Sequence, residues 1–120
     1  MATARRALQQ GFTAFKAAPF DGLVPHEAAS AEGRRRIRHG IDCLLALRDA
    51  LGAEARLMVD CHWRFDEASA IDTLAALRPA RVHWCECLLP EAPASWPALR
   101  RVRAAARDQG VLVAAAETQV

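Results

Sequence analysis

Arg56-Leu57-Met58-Val59-Asp60 is a short apolar run that ends on an acid, and the same ending occurs twice more. Val82-His83-Trp84-Cys85-Glu86 lies one helix length further on, and Val111-Leu112-Val113-Ala114-Ala115-Ala116-Glu117 lies beyond another. An earlier run, Phe12-Thr13-Ala14-Phe15-Lys16, ends on a base, the chain's one lysine. Runs of this length, separated by stretches with helical periodicity, predict a parallel sheet with right-handed crossovers. In such a sheet every strand points its C-terminal end at one face, so Lys16, Asp60, Glu86 and Glu117 are expected to meet there. Three hard carboxylate ligands around one point suit Mg²⁺.

The intervening sequence supports that alternation. Residues 3–10 read as a helix closed by Gly11. A loop with Pro19, Gly22 and Pro25 spans Ala18 to Ser30. Ile37, Ile41, Leu44, Leu45 and Leu51 mark one face of a helix from Ser30, capped by Gly52. Asp66 caps the next helix, with Ile71, Leu74 and Leu77 inward and Pro79 at its end. Ser95 and Pro97 open the last one, whose Leu99, Val102 and Ala106 face the core. The expected strands are 12–17, 56–60, 81–86 and 111–116. The fold class is therefore α/β: a partial TIM (β/α) barrel of about four parallel strands with alternating helices, in one domain over 1–120. A closed barrel takes roughly 250 residues, about twice this length.

Composition narrows the function classes. A hydrophobic fraction of 52% belongs to globular material. Sixteen basic and fourteen acidic residues leave a net charge of +2, which excludes a polyanion-binding composition, so no nucleic-acid partner is expected. Arg34-Arg35-Arg36-Ile37-Arg38 reads as a solvated helix start. No apolar run reaches the roughly 18 residues of a membrane span, and no leader pattern opens the chain. Cys43, Cys61, Cys85 and Cys87 lack the spacing of a disulfide scaffold, so reduced thiols and a cytoplasmic protein are expected.

Four segments carry a family likeness: Gly11-Phe12-Thr13-Ala14-Phe15-Lys16, Val59-Asp60-Cys61-His62-Trp63-Arg64-Phe65, Trp84-Cys85-Glu86-Cys87-Leu88-Leu89-Pro90 and Ala114-Ala115-Ala116-Glu117-Thr118. In this order and at this spacing they resemble the enolase superfamily, in its mandelate racemase and acid-sugar dehydratase branch. The resemblance implies Asp60, Glu86 and Glu117 as Mg²⁺ ligands. It implies Lys16 as the first lysine of a Lys-x-Lys motif, and His62 as the general acid of a dehydratase. The chemistry implied is abstraction of the proton α to a carboxylate, in a sugar acid or hydroxy acid. Ala18 stands where the motif's second lysine belongs, so no base comes from there, which favours dehydration over racemisation. Cys87-Leu88 replaces the usual Glu-Pro, and Ala116 the usual Gly.

By the same likeness the capping domain, the first barrel strand and the last three strands have no counterpart here. The expectation is an incomplete barrel, inactive in isolation, prone to self-association or completed by a second chain. Two other readings stay open. One is a non-catalytic remnant. The other is a zinc or thiol module built on Cys61, His62, Cys85 and Cys87, although Cys-x-Cys on a strand splits across its two faces.

Overall fold

Residues whose helices are capped and whose strands alternate produce a simple layered arrangement. The structure, a computed structural model, describes residues 1–115. In chain order the elements are α1 (Ala2–Gln9), β1 (Ala14–Ala17), α2 (Ala31–Leu51), β2 (Arg56–Asp60), α3 (Glu67–Ala76), β3 (Trp84–Glu86), α4 (Trp96–Asp108) and β4 (Leu112–Ala114). The strands are all parallel and pair in the order β1-β2-β3-β4. Sequence neighbours are thus sheet neighbours, as in a section of a (β/α) barrel wall.

Side-chain chemistry sets the helix starts. The Ser30 hydroxyl accepts from the Gly33 amide at 3.0 Å and opens α2. Asp66 and Ser69 cap α3 reciprocally, each side chain meeting the other's backbone amide. Such a cap stabilises by about 1 kcal/mol.

The register aligns Lys16, Met58, Trp84 and Leu112 across the sheet, and beyond them Asp60, Glu86 and Ala114. Alternation puts these side chains on one face. Leu57, Val59 and Cys85 point the other way and are buried with Leu44, Leu74, Val102 and Ala106 of the helices. No helix among the described residues is long and apolar enough to cross a membrane.

Three strands start later than the sequence suggests. The Phe12 and Val111 amides donate to Ala7 and Ala106 carbonyls at the ends of α1 and α4, so neither joins the ladder. Before β3, Arg81 adopts a left-handed φ of 49° and closes a turn onto Arg78. Cross-strand bonding then starts with the His83 amide on the Leu57 carbonyl. Phe12 is therefore exposed ahead of β1, and Val82 joins the buried cluster ahead of β3, rather than both lining the sheet's inward face as strand residues. Residue 116, the expected end of the last strand, lies outside the described residues.

Candidate functional site

Lys16, Asp60 and Glu86 stand at the C-terminal ends of three adjacent strands because each run breaks its apolar pattern there. The Lys16 Nζ donates to Glu86 Oε2 at 3.0 Å and lies 3.7 Å from Asp60 Oδ2. One ammonium thus faces two carboxylates carried by the next two strands. Asp60 is buried, Glu86 half-buried, and Lys16 about half exposed. With the ammonium about half exposed, water screens the pairing in part.

His62 joins them through a turn held by its backbone. Its amide donates to Asp60 Oδ1 at 3.1 Å, and its Nε2 lies 3.1 Å from Asp60 Oδ2. His62 and Trp63 have φ of 46° and 59°, and Cys87 across the way has 54°. Left-handed backbone at non-glycine residues costs energy and is typical of functional turns. The Trp63 amide bonds the Cys87 carbonyl at 2.6 Å and the Phe65 amide the Leu88 carbonyl at 3.2 Å, which fixes the two loops side by side.

Asp21 completes the arrangement, and the sequence did not point to it. Its Oδ1 sits 2.6 Å from His62 Nδ1, and Arg64 Nε lies 3.8 Å from the same oxygen. The imidazole is therefore held between Asp21 and Asp60. The Asp21 hydrogen bond raises the His62 pKa above its ordinary value, with the Asp60 charge adding to it. The only signal for Asp21 was its place in the loop after β1, a segment with no periodicity to read.

That loop is seated by packing. Phe20 is 1% exposed and meets Phe65 edge-on, ring centroids 4.9 Å apart. It also lies against Gly40 of α2, where an added Cβ would come within 2.4 Å of its ring. Gly33 likewise lets the Glu27 carbonyl approach. Two small residues on α2 thus allow the loop to dock and bring Asp21 to His62.

The cysteines do something else. Cys61 and Cys85 are buried together, and their mutual hydrogen bond and burial push the Cys61 thiol well above its usual pKa. Among the described residues, no three histidine, cysteine or acidic side chains are grouped to hold a metal ion. The zinc grouping of Cys61, His62, Cys85 and Cys87 is absent on that count. Asp60 and Glu86 supply two carboxylate arms, a donor type that fits Mg²⁺, with a positive charge already drawn between them. Glu117, the third acid of the sequence reading, lies outside the described residues.

The enolase C-terminal domain-like family model matches residues 1–120, the whole chain. The chain belongs to this family. A mandelate racemase/muconate lactonizing enzyme from Jannaschia sp. CCS1 superposes with a TM-score of 0.77 at 27% identity, over 95% of this chain and 28% of that one. A mandelate racemase/muconate lactonizing enzyme-like protein from Rubrobacter xylanophilus DSM 9941 is 31% identical, with a TM-score of 0.70, over 87% of this chain and 27% of that one. A galacturonate dehydratase mutant from a Geobacillus species, complexed with Mg, shares the fold at 21% identity and a TM-score of 0.74, over 97% of this chain and 28% of that one. The chain thus spans little more than a quarter of the length of each. No curated protein matches it.

Proposed function

We propose that this chain carries the metal-anchoring half of an enolase-superfamily barrel whose parent reaction is α-proton abstraction from a carboxylate substrate, in the form of sugar-acid or hydroxy-acid dehydration. The observation that carries the reading is the single cluster of Lys16, His62, Asp60 and Glu86 at the C-terminal strand ends. Family membership supports Mg²⁺-dependent chemistry in the parent fold.

In this reading Asp60, Glu86 and Glu117 hold Mg²⁺. The chemistry such an ion supplies is fixed positive charge against the negative charge that develops as the α-proton leaves. Lys16 turns its ammonium from Glu86 to the substrate carboxylate, which it neutralises and positions. His62, oriented by Asp21 at Nδ1, turns its Nε2 from Asp60 to the leaving hydroxyl and protonates it, so that it departs as water. The base belongs to a part of the barrel beyond these residues, so the chain alone binds without turning over. An open sheet edge and the exposed Phe12 and Leu112 make self-association, or pairing with a complementing barrel chain, the expected partner behaviour alongside the small carboxylate.

The test is binding and turnover together. Sugar acids and hydroxy acids are titrated into the labelled chain with and without Mg²⁺, and amide shifts and product are followed. Mg²⁺-dependent shifts centred on Lys16 and His62, with no product, are expected. Carboxylates that bind elsewhere, or equally well without Mg²⁺, contradict the reading, and dehydration by the chain alone contradicts the placement of the base.

A further inference from the structure

The opposite ends of the strands hold a second concentration of charge. Ala55, Val82-His83 and Gln109-Gly110 lead into β2, β3 and β4, and with Arg48, Arg56, Arg78 and Arg81 they line an open cavity of about 500 Å³. The length of β2, roughly 13 Å, separates this end from Asp60. Four guanidinium groups meet one carboxylate, Glu54, in a chain whose whole net charge is only +2.

Arg48 is the fixed part of this wall. It is 5% exposed and donates to the carbonyls of Ala80 (2.8 Å), Gly52 (2.8 Å), Ala55 (2.7 Å) and Arg81 (3.1 Å). Those bonds use its donors and tie the end of α2 to the starts of β2 and β3. Arg56, Arg78 and Arg81 are exposed, and among the described residues none has a carboxylate within ion-pair distance. Burial, and then the neighbouring Arg81 charge, lower the Arg48 pKa. Gln109 contributes a buried side-chain oxygen without a hydrogen-bond partner. A half-turn of its amide presents an N–H₂ donor at the same place.

Helix ends account for part of this charge. The α2, α3 and α4 C-termini all lie at this face, and at about −0.5 each they supply about −1.5. Glu54 adds one more negative charge, which leaves about +1.5 of the four arginines unmatched. Arg48, bonded to carbonyls, serves the helix ends. The other three exceed what those ends require.

We propose that this cavity is an anion site for a phosphate or diphosphate group, gripped by Arg56, Arg78 and Arg81, with Gln109 as a neutral donor and Arg48 as the frame. The planar guanidinium fork matches paired phosphate oxygens, and the three residues sit on a strand start and a short turn that Arg48 fixes in place.

The experiment is calorimetry on the full chain at physiological ionic strength with inorganic phosphate, pyrophosphate and a nucleoside diphosphate. One saturable site is expected, with pyrophosphate binding more tightly than phosphate. The double variant Arg56→Gln/Arg78→Gln should weaken it about tenfold. The charge-matched pair Arg5→Gln/Arg6→Gln in α1 should leave it unchanged, and circular dichroism checks that both variants fold. Amide shifts of His83, Gln109 and Gly110 on adding pyrophosphate give a readout in the unsubstituted chain. Tighter binding of the nucleotide identifies an ester as the ligand, and tighter binding of pyrophosphate identifies the free anion. Absence of saturable binding, or equal weakening by the α1 pair, overturns the proposal.

Discussion

Lys16 is where the candidate site is easiest to probe, because its charge opposes a dication and its exposure spares the fold. Its ammonium occupies the space between Asp60 and Glu86. Lys16→Met should therefore tighten Mg²⁺ binding by about fivefold, the size of one exposed ion pair, with little change in Tm. Glu86→Gln should weaken it. Calorimetric titration of both variants checks the opposed signs. A second residue-level expectation concerns the thiols. Cys61, Cys85 and Cys87 are buried and Cys43 is partly exposed, so an alkylating reagent should modify Cys43 first and leave the other three until the chain unfolds. Mass spectrometry of the labelled protein reads the order.

Elements rather than single residues decide whether His62 is correctly held. The loop carrying Asp21 rests on α2 through Phe20 and Gly40. Gly40→Ala should displace the ring, cost about 1–3 kcal/mol from overpacking, and loosen the Asp21–His62 contact. Thermal melts measure the first effect, and the His62 ring shifts on pH titration report the second. Between α3 and α4, Arg101 clasps Glu67 and lowers its carboxyl pKa. A depressed carboxyl stabilises above its unfolded pKa and loses that contribution as pH falls through the folded value. Melts of Glu67→Gln should sit slightly below the parent at neutral pH and converge with it in acid.

The whole molecule shows what a sequence can carry. Parallel direction and the facing of Lys16, Asp60 and Glu86 were legible because apolar runs ending on a charge have a fixed period and a fixed direction. Strand ends were less legible: the backbone amides of Phe12 and Val111 are spent on the preceding helices, a competition that side-chain pattern does not encode. Asp21 and the Arg48 web depend on contacts across the fold, between loop and helix or helix and strand start, and no local spacing announces them. Met58 in the middle of the sheet's inward face is only 9% exposed, whereas Phe12 ahead of β1 and Leu112 on β4 are 58% and 60% exposed. The chain should accordingly self-associate in sedimentation experiments, and Phe12→Lys with Leu112→Lys should shift it toward monomer. The claim on which the rest depends is that Asp60 and Glu86 anchor a divalent ion at the strand ends. Mn²⁺ titrated into the ¹⁵N-labelled chain tests it most directly. Broadening centred on the Cys61, His62 and Cys87 amides, displaced by Mg²⁺ and lost in Asp60→Asn, is the expected result. Broadening spread over surface acids, or unchanged in Asp60→Asn, would contradict the account.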